Sequence, residues 1–323
     1  MGIQAAPQVK YALIREAVSR DNNRLNISLM CQIAGVSRTG YYKWDKAEPK
    51  RIAREEADWR DFMLIMEASK YRGYPKGARA IHMWLLHKYG IIMNPKRIYR
   101  LMHKYGLVCR IRKPSPNRRI AREMATDTIS ENIVNREFYR GPRQVLLTDI
   151  TYLFFGKDGK CYLSTILDAC TREVLAYCLS KNLKVDFVLE TVDRLVADHG
   201  CQLDNEVIVH SDQGCHYTSR AFIQKLKEDD FVQSMSRRGN CWDNSPQESF
   251  FGHMKDEIGI KLAACKTYDE VNALIDDWMD YYNTDRGQWN LRKLTPKEYF
   301  EYLQTGVYPL PVYSRGSAPD PEV

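Results

Sequence analysis

Near residue 143 the chain changes its apolar period, and that switch constrains the fold more than any other feature of the sequence. Upstream, to about residue 112, apolar residues recur at helical spacing and the pattern breaks at Gly and Pro. Downstream, "QVLLTDITYLFF" reads as a strand, and "KCYLSTILDACTREVLAYCLS" reads as a hairpin-like pair turning around Asp168 to Glu173. Then come a helix, "KVDFVLETVDRLVADHG", ending at Gly200, and a buried strand, "EVIVHSDQG", running into a polar loop. "TSRAFIQKLKEDD" is a helix and "FVQSMS" a strand. A chain of 323 residues is long enough for two or three domains. The expectation is an all-α front part followed by an α/β domain.

Two segments of the front part read as helix-turn-helix units. In "ISLMCQIAGVSRTGYYKW" an apolar helix ends near Gly35, Val36 packs in the turn, and Ser37 caps a second helix carrying Arg38, Tyr41, Tyr42 and Lys43. In "GARAIHMWLLHKYGIIMNPKRIYRLMHKYGL" a helix stops at Gly90, and Asn94-Pro95 opens a second one bearing Lys96, Arg97, Arg100 and Lys104. A short turn and a basic second helix suit a DNA groove. The plain alternative is a small helical bundle with a solvated basic face. From Lys96 to Arg122 there are ten Lys or Arg and no Asp or Glu, including Arg110, Arg112 and Lys113, so the overall charge of +7 is concentrated where phosphate contacts are most effective. "CRIRKPSPNRRIAREMATDTISEN" has no apolar period and reads as a basic linker over 113–140. The expected divisions are modules at 1–50 and 51–112, that linker, an α/β domain over 141–305 and a tail from 306 to 323.

Composition mainly excludes. Nine scattered cysteines with no C-x-x-C pair point to a reducing compartment rather than a disulfide framework. No apolar run is long enough to span a bilayer, "MGIQAAPQVKYALIREAV" lacks the apolar stretch of a signal peptide, and Met1-Gly2 lacks the rest of a myristoylation motif. His82, His87 and His103 have no cysteine pair at zinc-ligand spacing. A cytoplasmic protein with no membrane partner is expected.

Three acids fall at telling places. Asp149 lies inside the β-rich run "VLLTDITYLF", where a carboxylate is tolerated only if paired or metal-bound. Asp212 lies just beyond "VIVH", at the carboxyl end of a strand, where ligand sites of open α/β sheets gather. Glu248 lies in "GNCWDNSPQESFFGHMKDE", where Ser245, Pro246 and Glu248 also spell an S-x-x-E capping box. The helix that follows places Phe250, Phe251, Met254 and Ile258 on one face and Glu248, Gly252, Lys255 and Gly259 on another. Three carboxylates from separate elements suit hard divalent cations, which prefer oxygen ligands. His210 reads as a packed histidine, Asp168 as a turn cap, and the order of elements as that of an RNase H-like sheet.

The stretches "TDITY", "HSDQGCHYTS" and "GNCWDNSPQESFFGHMKDE", with 62 residues between the first two acids and 35 between the last two, resemble OrfB-type DDE transposases of bacterial insertion sequences of the IS-three group, whose catalytic core is similar to retroviral integrase. The resemblance runs in order to "YYNTDRGQWNLRKLTPKEYF" and covers nearly the whole chain. It implies an RNase H-like α/β catalytic domain preceded by all-α helix-turn-helix modules. It also implies that Asp149, Asp212 and Glu248 bind two catalytic Mg2+ (or Mn2+) ions, so that one site both cuts and joins DNA.

The implied partners are double-stranded DNA, as insertion-sequence terminal inverted repeats and as target, a second copy of the chain, and an OrfA product fused or associated. The implied location is the bacterial nucleoid. Asn240, Asp243 and Asn244 match the family's lead-in to the glutamate helix, with a structural role, and Lys255 becomes a candidate grip on the end phosphate. The chain departs from the family pattern at Leu146, where a Trp is usual, and at "RGQWN" from Arg286 to Asn290, where Arg-Pro-His is usual.

Overall fold

The computed structural model describes residues 5–109, 130–203, 206–237 and 241–311. It divides into two compact units, Met1–Met66 and Glu67–Val323. The first holds α1 (Pro7–Val18), α2 (Ile27–Ala34), α3 (Arg38–Lys46) and most of α4 (Glu48–Lys70). Its turn forms as the residues dictate: Gly35 ends α2 in the left-handed conformation at φ 63°, and the Ser37 side chain accepts from Gly40 N. Ile14, Met30, Cys31 and Tyr41 make the small core, with Val36 packed against it.

The second unit contains α5 (Ala78–Tyr89) and α6 (Pro95–Lys104), again punctuated as expected by left-handed Gly90 and by Asn94, whose side chain accepts from Lys96 N ahead of Pro95. It continues with β1 (Val145–Phe155), β2 (Gly159–Asp168), β3 (Val174–Ser180), α7 (Asp186–His199), β4 (Ile208–Ser211), α8 (Arg220–Glu228), β5 (Val232–Met235), α9 (Ser245–Ala264), α10 (Tyr268–Thr284) and α11 (Pro296–Thr305). The sheet order is β3-β2-β1-β4-β5; β1, β2 and β3 pair antiparallel, while β4 runs parallel to β1 and β5 parallel to β4. This is the RNase H-like arrangement. Asp168 accepts from Cys170 N and the Thr171 hydroxyl, so it caps the β2–β3 turn.

The period-2 alternation of β1 sorts residues between two cores. Val145, Leu147 and Leu153 face α9 and α10, packing with Phe250, Phe251, Met254, Ile258, Trp278 and Tyr282. Leu146 faces α7 and α8, packing with Val188, Val192, Leu195, Phe222 and Leu226. Each fully buried side chain of the α9 stripe contributes about 1.5–3 kcal/mol, which is what holds this helix against the sheet. Among the described residues no helix is long and apolar enough to cross a membrane.

At three expected boundaries packing runs across the division. Within the expected 51–112 module, α5 and the residues before it pack into the α/β unit. Tyr74 joins the β1 core with its ring 4.7 Å from that of Tyr281, and Leu86 is buried with Leu291, Leu294 and Tyr299. The linker does not extend to 140: Val134 and Phe138 are buried in the same core, and Ser234 Oγ accepts from the Ile133 and Val134 amides. The tail does not begin at 306, since Leu310 is buried beside α11 and the Tyr308 hydroxyl donates to Arg292 O at 2.7 Å. The remainder of the expected linker and tail lies outside the described residues.

Candidate active site

Asp149 sits in the middle of β1 opposite Thr165 of β2. Residues opposite one another in an antiparallel pair share a face, and Thr165 Oγ1 accepts a hydrogen bond from Gln247 Nε2 on α9. Asp149 therefore faces α9, with Leu147 and Val145 as its neighbours on that side. One carboxylate oxygen, Oδ1, accepts from the Ile150 amide at 2.7 Å. Its pKa is raised well above the ordinary value, first by burial and then by the negative charge of Asp212, with Glu248 adding to the rise; the Ile150 amide and Lys255 oppose it.

Asp212 follows the last residue of β4, the strand adjacent and parallel to β1. Its Oδ1 accepts from the Gly214 amide at 2.9 Å, and burial raises its pKa against the pull of that amide and of His216. Gly214 is required by this approach: a Cβ there would lie 2.9 Å from the same carboxylate oxygen.

Glu248 lies in the first turn of α9, half-buried like the two aspartates. The first turn of a helix favours an acidic side chain through the exposed backbone N–H groups. Asp149, in mid-β1, thus feels the charge of both other acids, Asp212 just past the end of β4 and Glu248 in the first turn of α9. Among the described residues, however, no three acidic, histidine or cysteine side chains stand tightly enough to chelate a single ion. The donor set itself suits a hard divalent cation: carboxylate oxygens, partly buried, whose mutual repulsion a cation would relieve.

The expected capping box at Ser245 does not form. Ser245 is already helical, the N-cap is Asn244, and no side chain caps it. The lead-in is held instead by Asp243, which is buried and accepts from Arg136 Nε at 2.8 Å, and at 3.0 Å each from Asn132 Nδ2 and from the amide, Nε and Nη2 of Arg237. The Arg237 hydrogen bonds, with those of Arg136, hold this carboxyl well below the usual carboxylate range. Asn240 lies outside the described residues.

His210 is fully buried, its Nδ1 2.9 Å from Ser234 Oγ, and burial lowers its pKa to about 4; it is a neutral packed residue, as expected. Tyr217 was not singled out in the sequence. It is buried with its hydroxyl 3.4 Å from Thr148 Oγ1, and burial, Asp149 and Asp212 together push its pKa far up, so it keeps its proton beside the acids. The only signal for it was its place in "HSDQGCHYTS", five residues after Asp212.

Lys255 lies two turns along α9 from Glu248 and is close enough to Asp149 to act on its charge. Arg38 and Lys43 are exposed on α3, and Lys96, Arg97, Arg100 and Lys104 are exposed on α6, opposite buried Ile98, Leu101 and Met102. Arg110, Arg112 and Lys113 lie outside the described residues.

Family models match the chain as an integrase core domain over residues 140–241 and again over 230–296, and as an HTH-like domain over 56–115. An uncharacterized 31 kDa protein of insertion element IS600 from Shigella sonnei is 29% identical over 84% of this chain and 97% of its own length. The putative transposase InsK of insertion sequence element IS150 from Escherichia coli is 34% identical over 66% of this chain and 74% of its own length. Among solved structures, a chain of the simian T-cell lymphotropic virus intasome matches at 14% identity and TM-score 0.44, covering 80% of each chain.

Proposed function

We propose that this chain, which belongs to the OrfB-type transposases of bacterial insertion sequences, binds the terminal inverted repeats of its element and cuts and joins DNA at Asp149, Asp212 and Glu248. The membership makes it a DNA-cutting and strand-transfer enzyme; the assignment of these residues is our reading. The observation that supports it is the placement of the three acids, Asp149 facing α9 from β1, Asp212 just past the end of the adjacent β4 and Glu248 in the first turn of α9, with the charges of Asp212 and Glu248 raising the Asp149 pKa.

The three carboxylates would hold two Mg2+ ions, with Mn2+ as a substitute. Such ions polarise a scissile phosphate and lower the pKa of a bound hydroxyl. The chain's own residues do the rest. Tyr217 keeps a protonated hydroxyl beside Asp149 and Asp212, Lys255 offers a cation to the end phosphate, and Asp243 fixes the start of the helix that carries Glu248. The same in-line geometry serves cutting and joining, because only the nucleophile changes, from water to a DNA 3′-hydroxyl.

The exposed basic faces of α3 and α6 would contact duplex DNA, with Arg110, Arg112 and Lys113 extending the second of them. Two ends must meet, so the working form is a multimer in the cytoplasm, at the nucleoid, with an OrfA product fused or associated.

The test is strand transfer on the flanking inverted repeats. With Mg2+, the native chain is expected to join a pre-cleaved end to target DNA, and Asp149→Asn to lose joining by at least about a hundredfold. Cutting without joining would identify a nuclease instead, and an Asp149→Asn or Glu248→Gln chain that joined at the native rate would sink the residue assignment.

A further inference from the structure

The segment "RGQWN", where the chain departs from its family's pattern, builds a feature that the cutting and joining chemistry does not use. It lies on the wall of a cavity of about 860 Å³ formed with α5, α6 and α9. The local fold is tightly determined. The Gln288 amide donates to Leu294 O, the Lys293 amide donates to Gln288 O, and Leu291 and Leu294 are buried beneath. Gly287 allows the close approach: a Cβ there would sit 2.9 Å from Lys293 O and 3.1 Å from the Met83 Cβ. With both leucines turned inward, Trp289 is left 42% exposed. Arg79 and Lys293 carry their cations 5.4 and 5.5 Å from its ring centroid.

Lys96 and the 70% exposed Tyr99, both from α6, line the same cavity. Of its two acids, Glu257 pairs with Arg286 at 2.9 Å and Asp256 stands against the lining cations Arg79 and Lys96, to which Lys293 is added beside the Trp289 ring. A partly exposed indole backed by the His82 ring 5.9 Å away, flanked by two cations and lining a cavity, has the requirements of a base-stacking platform: a flat apolar face for the base and cations for its phosphates. The volume falls in the range of ordinary small-ligand sites and has room for a single nucleotide.

We infer that Trp289, with Arg79, Lys96 and Lys293, forms a pocket that receives one unpaired nucleotide of the DNA strand running past α6. Binding there exchanges an exposed cation–π contact for base stacking and releases both cations to the phosphates. This rests on the reading of the chain as a DNA-acting enzyme, but it does not depend on the acids or on metal.

The test uses the full chain in a metal-free buffer containing EDTA, with two probes: a DNA hairpin with one bulged 2-aminopurine, and the same hairpin fully paired. The native chain is expected to bind the bulged probe about tenfold more tightly and to quench its fluorescence. Trp289→Ala is expected to lose that preference while still binding the paired hairpin, and Trp289→Phe to keep most of it. Three results would overturn the inference: no preference in the native chain, an unchanged preference in Trp289→Ala, or an equal loss on both probes, which would mark a general duplex contact. A shift of Trp289→Ala to a smaller oligomer with the preference intact would assign the indole to a protein interface and overturn it as well. Failure of strand transfer by the native chain would leave this binding result standing, so the two readings fail separately.

Discussion

Replacing Asp243 with asparagine keeps the side chain's volume and removes only its charge. In the native chain Oδ1 accepts from Arg136 Nε and Arg237 Nη2, and Oδ2 from Asn132 Nδ2 and from the amide and Nε of Arg237. Whichever way the new amide turns, its NH2 faces two or three donors. At about 1.5–3 kcal/mol per hydrogen bond to a charged group, losing two would cost roughly 3–6 kcal/mol. The Arg136 and Arg237 side chains are 46% and 52% exposed, so they regain water, and the net expectation is about 2–3 kcal/mol. In a unit of this size that is a fall in Tm of roughly 4–12 °C.

The pH dependence follows from the depressed pKa of Asp243. Its stabilisation is complete above the unfolded aspartate value of about 3.9 and is lost as pH falls below it towards the native value. The gap between native and Asp243→Asn chains, read by urea denaturation, should therefore be constant from neutral pH down to about pH 5 and shrink below about pH 4. Because no side chain caps α9, loosening this lead-in should also lower kcat for joining more than it raises KM. A variant melting within about 1 °C of the native chain at pH 7, or a gap that persists unchanged into acid, would refute the reasoning.

The other expectations are more local. His87 donates to Glu298 across α5 and α11; burial works against its charge, but the carboxylate prevails and its pKa is raised. The advantage of the native chain over His87→Gln should be full below about pH 6.5 and decline as pH rises through the raised native value; an advantage that grew with pH in urea denaturation would contradict the pairing. Gly287→Ala should cost about 1–3 kcal/mol, because the methyl meets a backbone carbonyl rather than a flexible side chain; an unchanged Tm would show that the loop yields freely.

Much of the fold was legible because it rests on local chemistry. Gly35 and Gly90 take left-handed backbone, Asn94 caps ahead of Pro95, and Asp168 folds onto its own turn. The succession of strands and helices followed from the succession of periods, and the α9 stripe of Phe250, Phe251, Met254 and Ile258 is buried as its phase required. The placement of 130–140 was not legible. Two buried residues, Val134 and Phe138, among many charges make no period, and only a core built from distant elements receives them. Nor was the merging of α5 and α6 with the α/β unit, since an amphipathic hairpin carries no mark of what it packs against.

Two short stretches separate what the sequence by itself determined from what the tertiary structure decided. "SPQE" at 245 and "TPKE" at 295 carry the same capping signal, yet only the second forms the reciprocal box, with Thr295 extended at φ −71°, ψ 161° and Glu298 returning its hydrogen bond. At 245 the preceding residues Cys241–Asn244 are wound into a 3-10 turn, with Asp243 bound to arginines from two other segments, so Ser245 enters the helix and cannot cap it. The sequence determined that a helix begins here with a glutamate in its first turn. The tertiary structure decided that the glutamate's side chain is released from capping and stands within electrostatic reach of Asp149, because the bonds of Asp243 to Arg237 and to the distant Arg136 hold the lead-in in its 3-10 turn.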